Sequence, residues 1–231
     1  MNKIFEKHET LFCILLIVVY LLSNSLCVQA FGEISVVGLV VNTALSVGLL
    51  GLIFALKRRE YYGLTRVEHA KKCLYFIPLV LILTVNLWNG IHITKSVGEI
   101  VLHILTMLHI GFIEEIIFRG FLFRMMEKTG GKCAVWVSSL TFGVGHVINL
   151  LGGAPLIPTL LQICYAVAIG YLFVIVFQKT GSLIPCIVTH SLMNALSVFN
   201  KENEVYLYLS GAFLIAVPIV YAYLIHRQYK K

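Results

Sequence analysis

The chain has 231 residues, of which 59% are hydrophobic and 13% are charged, and its mean hydropathy is +0.90. Soluble domains are about 45–50% apolar with about 25% charged residues, so this composition excludes an ordinary soluble domain and predicts a multi-pass membrane protein. The net charge of +7 comes from basic residues dispersed between apolar runs, not clustered on one domain. A nucleic-acid partner is therefore not expected.

Apolar runs recur along the whole chain. A transmembrane helix needs about 20 mainly apolar residues. Eight runs reach or approach this length: 11–30, 34–56, 73–91, 100–123, 133–150, 156–177, 183–200 and 205–225. The predicted fold class is all-α, a polytopic membrane helix bundle of about eight transmembrane helices that forms a single membrane domain over residues 1–231.

The lysines and arginines between the runs predict the orientation. Fifteen lie before the first run or after the second, fourth, sixth and eighth: Lys3, Lys7, Lys57, Arg58, Arg59, Arg66, Lys71, Lys72, Arg124, Lys128, Lys132, Lys179, Arg227, Lys230 and Lys231. The opposite loops hold only Lys95 and Lys201. Because basic residues mark cytoplasmic loops, we expect both termini and the 57–72 loop to be cytoplasmic.

The first run has a second interpretation. "MNKIFEKHETLFCILLIVVYLLSNSLCVQA" has a basic start, an apolar stretch and a Val-Gln-Ala end, which is the pattern of a cleavable signal peptide. Cleavage after Ala30 would leave seven helices with the same orientation, so the charge bias does not decide between the two. We favour an uncleaved first helix.

The fourth run contains three charged residues in "GFIEEIIFRG" (111–120). A charge at mid-membrane costs about 2.5–3.5 kcal/mol on insertion scales, so such residues are functional candidates by default. Glu115 and Arg119 are spaced i, i+4 and can pair on one helix face. Glu114 lies about 100° further round the helix, which leaves it to face another element.

Two other runs carry polar residues near their middles. "FGVGH" (142–146) places Phe142 and His146 on one helix face, with two glycines that allow close helix approach. "HSLMN" (190–194) likewise places His190 and Asn194 on one face. A carboxylate or imidazole can take a proton from water, and imidazole and carboxamide donors can stabilise an oxyanion. Together with Glu114, these residues predict one buried pocket able to hydrolyse an amide.

Less specific interpretations remain for each residue. A lone membrane histidine is often a helix-bonding group, and Asn194 alone is interpretable as an interhelical hydrogen-bonding residue. His103 and His109 lie off the pattern and are interpreted as structural or pore-side residues. Buried glutamate and histidine also relay protons in transporters, but the chain shows no repeated half with paired broken helices.

The three motifs together match one family. "EEIIFR" (114–119) fits EExxxR, "FGVGH" (142–146) fits FxxxH and "HSLMN" (190–194) fits HxxxN, in the same order and with "TGSLIP" (180–185) before the last. The sequence resembles the CPBP intramembrane proteases, which comprise CAAX prenyl type II endopeptidases and bacterial relatives, including bacteriocin-processing and self-immunity proteins. The resemblance covers a catalytic core of about residues 98–200.

The resemblance implies an eight-helix intramembrane endopeptidase with six site residues in three pairs: Glu114 and His146 to activate water, His190 and Asn194 to hold the oxyanion, and Glu115 and Arg119 to order the site. The family is often labelled metalloprotease, although its mechanism is better described as glutamate-dependent without obligatory zinc. The helical zinc motif HExxH is absent. Zinc stays open as a cofactor, since Glu114, His146 and His190 could supply three ligands with water as the fourth.

The expected function is hydrolysis of a peptide bond in a peptide or membrane-associated protein substrate within the lipid bilayer. The alternatives are a bacteriocin self-immunity protein, which could act by the same proteolysis, and a non-catalytic membrane scaffold of the same fold. Complete motifs argue against lost catalysis. Small size and short loops favour a multi-pass protein of a bacterial plasma membrane, and a prenylated substrate is not implied.

Overall fold

The structure, a computed structural model, describes residue 5, residues 7–201 and residues 203–230, so Lys3 and Lys231 of the charge pattern lie outside the described residues. Helices make up 82% of it and the described residues contain no strand, which confirms the predicted polytopic helical bundle. We number eight helices in chain order: α1 Glu9–Phe31, α2 Val36–Ala55, α3 Ile77–Leu83, α4 Val97–Glu127, α5 Gly131–Gly145, α6 Leu156–Thr180, α7 Ile184–Ala195 and α8 Glu204–Lys230.

Six helices of the described chain are long and apolar enough to cross a membrane, namely α1, α2, α4, α6, α8, and α5 with its 3-10 extension His146–Gly152. With its own 3-10 extension, α7 covers Ile184–Phe199 and is shorter than these six. The protein is thus a multi-pass membrane protein.

The third predicted span, residues 73–91, is not one transmembrane helix. Pro78 lies in the first turn of α3, where proline is tolerated. That helix has seven residues and is about 10 Å long, against a hydrocarbon thickness of about 30 Å. After it, Asn86 lies in a separate 3-10 turn, Val85–Leu87, and its side chain donates to the Met193 carbonyl at 2.7 Å. A short helix anchored on α7 therefore replaces the expected span.

The basic loops gather at one end of the bundle. Lys128 Nζ, just beyond α4, lies 2.5 Å from Glu9 Oε2 at the start of α1. The Lys72 ammonium, in the 57–72 loop, lies 5.0 Å from the centre of the Tyr229 ring near the end of α8. The Tyr61 hydroxyl of the same loop also donates to the Arg124 carbonyl near the end of α4 at 3.2 Å. The start of α1 and the end of α8 therefore lie at the same end of the bundle, which we call the basic end. The loops after α1, α3, α5 and α7 lie at the opposite end.

One close helix contact is made between α5 and α6. A Cβ at Gly143 would lie 3.0 Å from both Ile163 O and Val167 N. A Cβ at Gly145 would meet only Leu21 side-chain atoms, at ordinary van der Waals distance. Of the two glycines expected to allow close helix approach, Gly143 is the one that does so.

The contact between α4 and α7 is also made at a glycine. A Cβ at Gly111 would lie 2.6 Å from Ser191 Cα and 2.7 Å from Ser191 N, and backbone atoms cannot rotate away as a side chain can. Gly111 is one helical turn before Glu114, and Ser191 adjoins His190. The absence of a side chain at 111 thus brings α7 close to the two glutamates of α4.

Gly111→Ala should destabilise the bundle by about 1–3 kcal/mol, the usual effect of forcing an extra methyl group into a packed interior. Gly98→Ala, in the same helix, is the control, because a Cβ there has nothing within 4 Å. Thermal unfolding in detergent should show a lower melting temperature for Gly111→Ala alone. Equal melting temperatures for the two variants would contradict the proposed contact.

Candidate active site

Glu115 and Arg119 form the predicted ion pair. Arg119 Nη1 donates to Glu115 Oε1 at 2.9 Å, and both side chains are 0% exposed. The chain between them enters a π-helical stretch, Ile116–Phe123, a local geometry that is frequent at functional sites. The Arg119 guanidinium also lies over the Phe142 ring, 4.1 Å from its centre. The i, i+4 prediction for this pair is confirmed.

His190 lies between the two carboxylates of α4. Its Nδ1 is 2.8 Å from Glu115 Oε1, and its Nε2 is 3.3 Å from Glu114 Oε2. The ring is buried, and its edge meets the Phe142 ring at a centroid distance of 5.6 Å. Through this histidine, the buried pair Glu115–Arg119 is connected to Glu114.

Glu114 has two hydrogen-bonding partners and is slightly exposed. Its Oε1 accepts a hydrogen bond from the Tyr20 hydroxyl of α1 at 2.7 Å, while its Oε2 faces His190. The side chain retains 12% exposure, and it lines a cavity. Glu114 is therefore held in orientation while remaining accessible.

Tyr20 was not identified from the sequence, since a tyrosine in an apolar membrane helix has no motif of its own. One signal was present: Tyr20 is the only hydroxyl-bearing residue of the stretch 11–22. A buried tyrosine hydroxyl normally finds a hydrogen-bond partner. That rule predicts a polar partner for Tyr20 but does not identify it as Glu114.

His146 lies at the end of α5 on the face predicted for it. Its ring meets the Phe142 ring edge-on at 5.1 Å, and its Nδ1 is 3.0 Å from the Phe142 carbonyl oxygen. A carbonyl oxygen only accepts, so we infer that the Nδ1 hydrogen is donated to it and that Nε2 of the neutral ring can accept a proton. His146 is half-buried and lines the same cavity as Glu114.

Asn194 is half-buried on α7 and lines the cavity as well. Its backbone carbonyl accepts from Ser197 Oγ at 2.7 Å and lies 3.4 Å from His103 Nε2. His109 bonds to two hydroxyl groups of α2 through its two ring nitrogens. The contacts of His103 and His109 thus join helices, in keeping with the structural interpretation of both.

The cavity has a volume of about 710 Å³ and extends to the loops at the opposite end of the bundle. Three of the six predicted site residues line it: Glu114, His146 and Asn194. The other three form a buried layer behind Glu114: His190, Glu115 and Arg119. The six residues predicted to share one buried pocket therefore lie in two groups, one on the cavity wall and one buried behind Glu114.

A zinc ion does not fit this arrangement. Among the residues described, no three histidine, cysteine, aspartate or glutamate side chains lie close enough together to hold a metal ion. Glu114, His146 and His190 therefore do not form such a group. Both ring nitrogens of His190 face carboxylate oxygens, and Nδ1 of His146 faces a carbonyl. No step of the chemistry is therefore assigned to a metal.

Residues 96–196 match the family model described as "Type II CAAX prenyl endopeptidase Rce1-like". The match begins one residue before α4 and ends one residue after α7, so it contains the three motifs and all six predicted site residues. No curated protein and no solved structure matches the chain. The resemblance read from the motifs is confirmed over this segment.

Proposed function

We propose that this membrane protein, whose residues 96–196 form an Rce1-like type II CAAX prenyl endopeptidase domain, is an intramembrane endopeptidase acting on a peptide or membrane-associated protein. One observation carries the proposal. Glu114 is held by Tyr20 and His190, and it lines a cavity together with His146 and Asn194. That set contains a proton acceptor and an oxyanion donor on the walls of one space.

Glu114 is proposed to act as the general base. Its carboxylate takes a proton from a water molecule while the water oxygen attacks the carbonyl carbon of the substrate. The proton is then passed to the amide nitrogen as the C–N bond breaks, and the second proton of the water is shared with His146. Tyr20 and His190 support this role because they fix both carboxylate oxygens.

Asn194 is proposed to donate its amide N–H to the oxyanion of the tetrahedral intermediate from the cavity wall. The family resemblance gives His190 the same task. Because His190 Nε2 lies 3.3 Å from Glu114 Oε2, a small shift of this ring would move its donor from the base to the oxyanion. Glu115, which is paired with Arg119, orders the site by bonding to the other ring nitrogen of His190.

Tyr20→Phe should reduce kcat about 10- to 100-fold with little change in KM. The variant keeps the ring but removes a hydrogen bond to a charged group, which is worth about 1.5–3 kcal/mol. Tyr62→Phe is the matched control, since Tyr62 is also fully buried but its hydroxyl has no hydrogen-bond partner in the described structure. Steady-state kinetics that show the same kcat for both variants would exclude a role for Tyr20 in orienting Glu114.

We further propose that the basic end faces the cytoplasm of a bacterial cell and that the protein resides in the plasma membrane, so that the cavity extends towards the outer face. Arg66→Cys should then react with a membrane-impermeant maleimide only after permeabilisation, and Lys201→Cys should react in intact cells. Both changes belong in a background without the exposed thiols Cys133 and Cys164. Labelling of residue 66 in intact cells would show that the orientation is opposite to the one proposed.

The direct test of the proposed function is reconstitution in lipid vesicles with a library of synthetic peptides, followed by mass spectrometry of the products. The expected result is a defined cleavage by wild-type protein that increases with enzyme concentration. Folded protein that yields no cleaved peptide would instead favour the non-catalytic scaffold.

A further inference from the structure

The cavity beside Glu114 is rich in carboxamide groups. Six asparagines and one glutamine contribute to its wall: Asn24, Asn42, Asn86, Asn149, Gln162, Asn194 and Asn200. The described lining residues include two carboxylates, Glu33 and Glu114, but no lysine or arginine. A carboxamide has both donors and an acceptor, the same groups that a peptide backbone presents.

Asn42, on α2, has an acceptor without a partner. Its side chain is 1% exposed, and its Nδ2 donates to the Gly38 carbonyl at 2.9 Å. That bond identifies the nitrogen of the side-chain amide, because Gly38 O can only accept, and so the other atom is Oδ1. Asn42 Oδ1 has no hydrogen-bond partner among the described residues. An acceptor that no donor of the described protein reaches can bond to a donor from outside the chain, and a substrate N–H in the cavity supplies one.

We propose that the cavity binds an internal, unlipidated peptide segment through its backbone and that Asn42 Oδ1 accepts a hydrogen bond from one substrate N–H. This inference rests on the proposed endopeptidase function and specifies the substrate class. The carboxamides match backbone N–H and C=O groups, whereas a long isoprenoid chain has no donor for Asn42 Oδ1. A free C-terminal carboxylate would find no cation on the described walls and would face Glu33 and Glu114.

The test uses two libraries of internally quenched decapeptides. One has acetyl and amide ends, and the other has a farnesylated cysteine near a free C-terminal carboxylate. Wild-type protein in vesicles should cleave members of the blocked library, and Glu114→Gln should not. Cleavage confined to the farnesylated library overturns this inference but leaves the proposed function standing. No cleavage in either library, or equal cleavage by Glu114→Gln, overturns the proposed function itself.

The Asn42 contact is tested on the best blocked peptide, methylated at each backbone nitrogen in turn. One N-methyl group should lower kcat/KM of the wild type about five- to tenfold, the effect of one hydrogen bond between neutral groups. That penalty should vanish in Asn42→Ser, whose hydroxyl can still bond to the Gly38 carbonyl, or in Asn42→Ala if the serine variant does not fold.

Ser46→Ala is the control, because Ser46 is buried one turn further along α2 and bonds to His109 without lining the cavity. It should retain the full penalty of the N-methyl group. A penalty of the same size in wild type and in the Asn42 variants overturns the assignment of Asn42.

Discussion

Glu115→Ala and Arg119→Ala should each lower the free energy of unfolding by about 3–5 kcal/mol, because each leaves its partner charged, buried and unpaired. The two side chains are 0% exposed and 2.9 Å apart. Glu115→Ala also removes the partner of His190 Nδ1, and Arg119→Ala removes the guanidinium that lies over Phe142. Activity should be lost along with stability, since both variants release His190 from its position.

The Arg124–Glu127 pair provides a matched control on the same helix. Its N–O distance is 2.7 Å, but its side chains are 19% and 32% exposed. Solvent-exposed pairs contribute at most about 1 kcal/mol, so Glu127→Ala should change stability little. The double variant Glu115→Ala, Arg119→Ala should be destabilised by less than the sum of the two single changes, because it leaves neither charge alone.

The free energies of unfolding of the three single variants and the double variant are measured by thermal and denaturant unfolding in one detergent and compared with that of wild type. Wild-type stability for both Glu115→Ala and Arg119→Ala would show that the buried pair does not support the fold. Strict additivity in the double variant would show that the two residues do not interact.

The local geometry of the site was predictable from the sequence because helical periodicity is a local property. The spacing of Glu115 and Arg119, and of Phe142 and His146, predicts which side chains meet, and both contacts are present. The motifs also predicted which helices carry polar groups. These inferences needed no knowledge of how the helices pack.

The contacts between distant helices were not predictable in the same way. Tyr20 reaches Glu114 from 94 residues away, and nothing in the composition of α1 indicates that it packs beside α4. The placement of His190 between two carboxylates depends on the close approach at Gly111, a tertiary feature. The third apolar run was read as a span because hydropathy does not distinguish one long helix from a short helix followed by an irregular loop.

Glu114→Gln should abolish cleavage while leaving the protein folded. Glutamine has the shape of glutamate and can still accept the Tyr20 hydrogen bond, but it cannot take a proton from water. Asn194→Ala should be milder, with a loss of about 10²–10³ in rate, because it removes one oxyanion donor. Chelators should leave the rate unchanged, and activity lost to a chelator and restored by zinc would favour a metal-dependent mechanism instead.

Glu99→Gln is the matched control for this substitution. Glu99 lies at the exposed start of α4, where its carboxylate accepts from the Ser96 N–H in a capping box. Glutamine also serves in capping boxes, so the helix start should be preserved. This variant carries the same chemical change on the same helix and should retain the wild-type rate.

The most direct measurement is single-turnover cleavage of one vesicle-bound peptide by purified wild type, Glu99→Gln and Glu114→Gln, each shown by thermal unfolding to be folded. Single-turnover conditions separate the chemical step from product release. The account predicts equal rates for wild type and Glu99→Gln and no detectable cleavage by Glu114→Gln. A folded Glu114→Gln protein that cleaves the peptide at a rate near that of wild type would contradict Glu114 as the base that activates water.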